Sequence, residues 1–373
     1  MPVKFRDYYF YREKTVSDTD TLIVPLDVKV PISYLKIEIE ATNGATSCTD
    51  HEILDDIAKI EVLDGSKVIQ SLSGKDWLAA NALHFKRLPR HLLSEVGAAV
   101  QEETLYIPFG RYLDDLEMYF NPARYKNPQL RISIALDVSA TVGFATGTGK
   151  VTVMGRLIEE GAKSYLGYLM HKYVEEFTAG TSGDKKVEMY NDYPWRLLLV
   201  RALLTTTKHE ANLSKWKLSC DADEEVPFEK YAEDIVDMNY EKFGLLRQAK
   251  TLKVVNDNTS LLDLFDIRNY NTLVLTDDLI VGLTAIDGEQ ITHTAYRGHD
   301  AAADVTGLEA ETTSRTLQVA VDGLAPNAIL GYPFYYDDVP EEYFDAPGYG
   351  RVDLYLTQAA AAACAVILQQ FVR

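Results

Sequence analysis

The closing stretch RVDLYLTQAAAAACAVILQQFVR, residues 351–373, has an uncharged centre, AAAAACAVIL. That centre reads as a membrane anchor, a buried helix or a strand, and each option belongs to a protein with a different job. The apolar run, residues 359–368, is ten residues long, about half of the ~20 that a bilayer-spanning helix needs. No other run approaches that length, and the first residues, MPVKFRDYYFYREK, show no apolar core ahead of a small-residue cleavage site. The expectation is a soluble chain without a signal peptide.

At 373 residues the chain suits two domains of ~150–200 residues better than one core. Its 47% apolar residues are ample for packed interiors, and its 23 tyrosines lean towards pleated, half-buried surfaces. The formal charge of −19 repels phosphate, so the body of the protein is not expected to coat nucleic acid or to read its sequence. Residues 1–16 differ: Lys4, Arg6, Arg12 and Lys14 outnumber Asp7 and Glu13 among Phe5, Tyr8, Tyr9, Phe10 and Tyr11. They read as an ordinary N-terminal segment or as a docking arm. Cys48, Cys220 and Cys364 are far apart and odd in number, which fits neither a disulfide framework nor a zinc knuckle. The sequons at Asn212 and Asn258 are short enough to arise by chance and carry no weight.

Period-two alternation recurs along the chain. In SYLKIEIEAT, Leu35, Ile37 and Ile39 face one way and Lys36, Glu38 and Glu40 the other. TLIVPLDVKV, TLYIPF, QLRISIALDV and KVTVMGRLIE read as further strands. IAKIEVLDGSKVIQSL reads as a hairpin turning at Asp64-Gly65, and GKDWLAANALHFKRLP switches to helical spacing. A second helix is expected near 165–176.

The two halves can be laid over each other. VPISYLKIEIEAT matches the pattern of YPWRLLLVRALLT, with Pro31 over Pro194. The hairpin and helix after the first find their counterpart in LSKWKLSCDADEEVPFEKYAEDIVDMNYEKF, with Trp77 and Tyr231 near the helix starts. QLRISIALDV and KVTVMGRLIE lie over VDLYLTQ and AVILQQFV. Each half has the size and strand count of a β-sandwich. The alanine stretch is then a small-residue passage between or within closing strands, with a helix as the open alternative because Ala is the strongest helix former. Residues 276–350 read as elaborated loops at one end of the second sandwich.

No catalytic set emerges. GFATGTGKVT resembles a phosphate loop, but Phe144 and Val151 stand where Gly and Ser or Thr are needed, and no helix follows. His51, His84, His91, His171, His209, His293 and His299 are scattered, with no HxH or HExxH; His293 and His299 could meet in a loop. The pairs Asp114-Asp115, Asp277-Asp278, Asp337-Asp338 and Glu341-Glu342 read as solvated acids, with calcium in the loop 337–342 as a lesser reading. No catalytic, cofactor-binding or metal residue is assigned, and the expectation is a protein that is not an enzyme.

IAKIEVLDGSKVIQSLSGKDWLAANALHF, IPFGRYLDDLEMYFNPARYKNPQLRISIAL and the closing VDLYLTQ…AVILQQFV resemble the double jelly-roll major capsid proteins. That lineage is shared by tailless icosahedral bacterial and archaeal viruses and adenovirus. The resemblance implies an all-β chain of two tandem eight-stranded jelly-roll β-sandwiches with short helices and long loops. It divides the sequence into an arm (1–16), a first roll (17–162), a connecting segment (163–182) and a second roll (183–373). It implies a homotrimer with a six-lobed outline that tiles an icosahedral shell. The partners implied are neighbouring capsomers, minor and penton capsid proteins, and an internal membrane or genome facing the arm. The place implied is the virion, after synthesis in the host cytoplasm. Trp195, Phe334, Tyr335 and Tyr336 are interface candidates, with burial in the core as the alternative. The rival readings are a glycan-binding or glycan-hydrolysing protein on paired rolls, and a metal-dependent bicupin.

Overall fold

In β3 (Ile32–Thr42) Leu35, Ile37 and Ile39 are buried, while Lys36, Glu38 and Glu40 stay partly exposed; the alternation read from sequence is that of a strand with one face in the core. The computed structural model describes residues 2–48, 51–204, 207–254, 261–264, 266–276, 280–285, 290–297, 309–310 and 315–373. Between 252 and 319, side chains are described for Asp266 and Ile267 alone.

The first half continues β1 (Lys4–Thr15), β2 (Thr19–Pro25), β3, β4 (Ile57–Asp64) and β5 (Lys67–Leu72). Then come helix α1 (Gly74–Phe85), β6 (His91–Ser94), β7 (Val100–Pro108), β8 (Pro128–Ala135) and β9 (Lys150–Glu160). They form two facing sheets, β1-β9-β3-β7-β6 and β2-β8-β4-β5. The second half opens with β10 (Tyr168–Thr178), β11 (Asp184–Glu188) and β12 (Trp195–Leu203). A short helix α2 (His209–Asn212), β13 (Leu213–Cys220), β14 (Glu225–Tyr231) and helix α3 (Ala232–Phe243) follow. The half closes with β22 (Ile329–Pro333), β23 (Val352–Gln358) and β24 (Ala363–Val372), in sheets β10-β24-β12-β22 and β11-β23-β13-β14. Strand for strand, β1, β9, β3 and β7 correspond to β10, β24, β12 and β22, and β2, β8, β4 and β5 to β11, β23, β13 and β14. The chain is two jelly rolls of identical order, eight strands each.

Between α3 and β22 lies an insertion of β15 (Leu246–Val254), β16 (Leu261–Leu264), β17 (Arg268–Thr276), β18 (Ile280–Ala285), β19 (Gln290–Arg297), β20 (Glu309–Ala310) and β21 (Arg315–Leu324). Strand β15 pairs in parallel with β6, so β15, β21 and β17 extend the first roll's sheet to eight strands. Strands β16, β18, β19 and β20 form a small sheet of their own.

Four expectations are corrected. The arm, residues 1–16, is largely β1, an edge strand antiparallel to β9; no residue of the strand Lys4–Thr15 is fully buried, which is why it lacks an alternating signature. The connecting segment, 163–182, contains β10, the first strand of the second roll, so the helix expected at 165–176 does not form. Tyr168, Leu169, Met170 and His171 are all buried, and a strand covered on both faces loses period two. The elaborated region begins earlier than 276, at β15, and 276–350 includes the core strand β22. The first hairpin turns one residue later than Asp64-Gly65: Asp64 pairs with Lys67, and Gly65 takes the positive φ of 61°. The closing stretch is β23, a four-residue alanine passage and β24.

The helices differ for a reason. In α3 the buried residues Ala232, Ile235, Asn239 and Phe243 make a stripe, as expected of a surface helix. Ten of the residues of α1, from Gly74 to His84, are buried, because α1 contacts β4 and β7 of its own roll and β22 of the other. Its N-cap is Ser73, whose hydroxyl accepts from the Asp76 amide at 3.3 Å.

Candidate assembly surfaces

Helix α1 and strand β5 meet the sheet β10-β24-β12-β22 across a seam between the rolls. Leu197, Leu199, Ile329 and Ile367 pack into the first roll's core, while Leu198, Val200, Leu330, Val366 and Leu368 pack into the second's. The sheet is therefore buried on both faces, and RLLLV and AVIL run apolar without alternating.

Two polar networks cross this seam. The wholly buried Asp76 accepts from Arg201 at 2.6 Å, from the Asn327 amide at 2.8 Å and from the Tyr173 hydroxyl. Further along, Arg196 donates to the Gln369 carbonyl at 2.5 Å, and the Gln369 amide faces His171 at 3.1 Å and His84 at 3.5 Å. Burial, then the nearby Arg196 charge, holds His171 down to about 3 and His84 well below its ordinary value, so both imidazoles are neutral at neutral pH. Buried polar contacts of this kind fix one docking of the rolls, because any other leaves Asp76 unpaired.

The loops after β7 and β22 share a pattern that was not recognised as a repeat in the sequence. DDLEMYFNPARY, residues 114–125, and DDVPEEYFDAPGY, residues 337–349, each carry an acid pair, a Tyr-Phe pair and a later Tyr. Phe120 exchanges backbone hydrogen bonds with Ile32 at 2.8 and 2.9 Å, and Phe344 does the same with Trp195 at 2.9 and 3.0 Å. Each phenylalanine then stacks on the later tyrosine: Phe120 on Tyr125 at 4.8 Å and Phe344 on Tyr349 at 5.5 Å. The second acid of each pair holds an arginine, Asp115 to Arg111 at 2.8 Å and Asp338 to Arg196 at 2.7 Å. The spacing of the two Tyr-Phe pairs was the available signal.

These contacts revise the reading of the acid pairs. Asp115 is buried, and Asp114 pairs with Arg156 at 3.0 Å. In the loop 337–342, Asp338 is taken by Arg196, and Glu342 accepts from the amides of Tyr336 and Asp337, each at 2.9 Å. Asp277-Asp278 lie outside the described residues. Of the interface candidates, Trp195 is fully buried, Phe334 and Tyr335 are partly buried, and Tyr336 is 85% exposed. Tyr8, Tyr9, Tyr112, Tyr231 and Tyr240 are also exposed.

The other described histidines are dispersed. His51 lies 2.8 Å from Asp137, His91 meets the Ala249 amide at 3.3 Å, and His209 is buried against the Ala328 carbonyl at 2.9 Å. The side chain of His293 and the whole of His299 lie outside the described residues. The stretch resembling a phosphate loop joins β8 to β9, and Lys150 is the first residue of a strand. Asn212 is buried and donates to the Ala202 carbonyl at 2.9 Å, which leaves that sequon inaccessible. Cys48, Cys220 and Cys364 are buried thiols; burial pushes them up to about 12, 11 and 11, far from a reactive thiolate.

No family model and no curated sequence matches the chain. Its backbone is similar to that of the STIV major capsid protein, with a TM-score of 0.57 and 8% identity over 98% of this chain and 96% of the other. It is also similar to the major capsid protein P2 from bacteriophage PM2, with a TM-score of 0.52 and 6% identity over 99% and 97%. The fold is the double jelly roll of these capsid proteins, end to end.

Proposed function

We propose that this chain is a structural major capsid protein, that three copies form a pseudo-hexagonal capsomer, and that capsomers tile an icosahedral virus shell. The observation that carries the reading is the pair of rolls of identical strand order locked side by side by a buried seam. Such a subunit is a rigid two-lobed tile, and three of them around an axis present six lobes. The work assigned to it is assembly rather than catalysis, its place is the virion after synthesis in the host cytoplasm, and its partners are neighbouring capsomers and minor or penton proteins. Contact with an internal membrane or genome falls to the base of the capsomer. The likeness to capsid folds over nearly the full chain supports this reading.

A glycan-binding reading has one observation behind it. A cavity of about 290 Å³ at the junction of the rolls is lined by Tyr125, Tyr168, Tyr193, Lys67, Lys172 and Asp192, near the lower size limit for ligand pockets. Sedimentation equilibrium of the purified protein separates the two. A species of three chains is expected; a monomer whose tyrosine fluorescence responds to oligosaccharides would overturn the capsid reading.

A further inference from the structure

Under the insertion of the second roll lies a buried group of charges. Glu52 precedes a 3-10 turn at Ile53–Asp56, Glu103 lies on β7 and Asp266 falls between β16 and β17. Their exposures are 6%, 1% and 5%. One oxygen from each lies within 4.8 Å of the others, a spacing that lets a single ion reach all three at Ca–O distances of about 2.3–2.6 Å.

A second observation points to a missing ligand. Both carboxylate oxygens of Glu103 are buried and have no hydrogen-bond partner among the described residues, a condition native proteins rarely leave unrelieved. The two nearby ammonium groups serve other acids. Lys75 meets Asp266 at 2.6 Å and also Glu52, while Lys250 lies 3.0 Å from Glu95 and 3.4 Å from Glu52.

We propose that Glu52, Glu103 and Asp266 form a site for a hard divalent cation, best matched by Ca²⁺, which fastens the second roll's insertion to the first roll. The all-oxygen donor set selects a hard ion, and a dry protein cage suits calcium better than magnesium, which dehydrates reluctantly. On ion entry Lys75 has an alternative partner in Asp55, 3.7 Å away and 44% exposed at the edge of the group. Gln248 also faces the group and donates to Asp266 at 2.7 Å.

The test uses the full chain, stripped with chelator and titrated with CaCl₂ alone. The expected result is one Ca²⁺ bound per chain and a melting temperature that climbs with calcium concentration. Glu103→Gln, which keeps shape and removes charge, is expected to fold, to bind no calcium at this site and to lose the calcium-dependent rise. The proposal is overturned if the wild-type chain binds no calcium and its melting temperature does not respond. It is also overturned if Glu103→Gln keeps the full response, which would place the ion among exposed acids. Either result leaves the oligomeric state, and hence the capsid reading, to its own experiment.

Discussion

At Asp76 three donors from beyond the first roll, Arg201, Asn327 and Tyr173, converge on one carboxylate at the start of α1. Removing one side of a buried ion pair typically costs about 3–5 kcal/mol. Asp76→Ala should therefore lower the unfolding free energy measured in urea by an amount in that range, and a loss below about 1 kcal/mol would show that the seam does not depend on this pair. His171 makes a pH prediction. Its folded form titrates near 3, whereas an unfolded histidine titrates near ~6.5. Between those values the unfolded chain binds a proton that the folded one refuses, so stability falls as pH drops through that window. His171→Gln should make the fall shallower in denaturation curves taken from pH 7 to 4; an unchanged slope would place the titration elsewhere. None of this was legible from local sequence, because Gln369 lies 285 positions from His84 and 198 from His171. The histidines looked scattered, and the fold brings these two together around one amide.

Among the strands, the pairing of VPISYLKIEIEAT with YPWRLLLVRALLT places Lys36 over Leu199 and Glu38 over Arg201. The two stretches occupy equivalent positions, as the matched bridges Ile32 to Phe120 and Trp195 to Phe344 show. The outward face is partly exposed in the first roll and buried in the seam in the second. Leu199→Ala should cost about 2–5 kcal/mol, whereas Lys36→Ala, which loses a surface pair with Glu38, should cost about 1 kcal/mol or less. Equal costs, measured by equilibrium unfolding, would contradict the two-sided burial of β12. The same asymmetry explains what sequence could deliver. Strands with one open face, such as β3 and β8, announce themselves by alternation. Strand β10, covered on both faces near its start, reads as a helix, and β1, with no fully buried residue, reads as an arm. The order of strand, hairpin, helix and closing strand pair survived these errors because it does not depend on any single strand.

For the molecule as a whole, duplication is the organising fact: one strand order occurs twice, with the same aromatic stitch after β7 and β22. Pattern overlay made the duplication legible. It could not reveal that the insertion of the second roll pairs with β6 of the first, since a parallel contact between Lys250 and Leu93 leaves no local mark in either stretch. Nor could it reveal the seam, whose residues come from both rolls. These two features join the halves through a sheet pairing and a shared core, as the proposed role of a shell tile requires. Electron microscopy of the purified protein tests this most directly. Three-fold particles with six lobes around a pseudo-hexagonal rim are predicted, whereas isolated two-lobed monomers at every concentration and ionic strength would contradict the account.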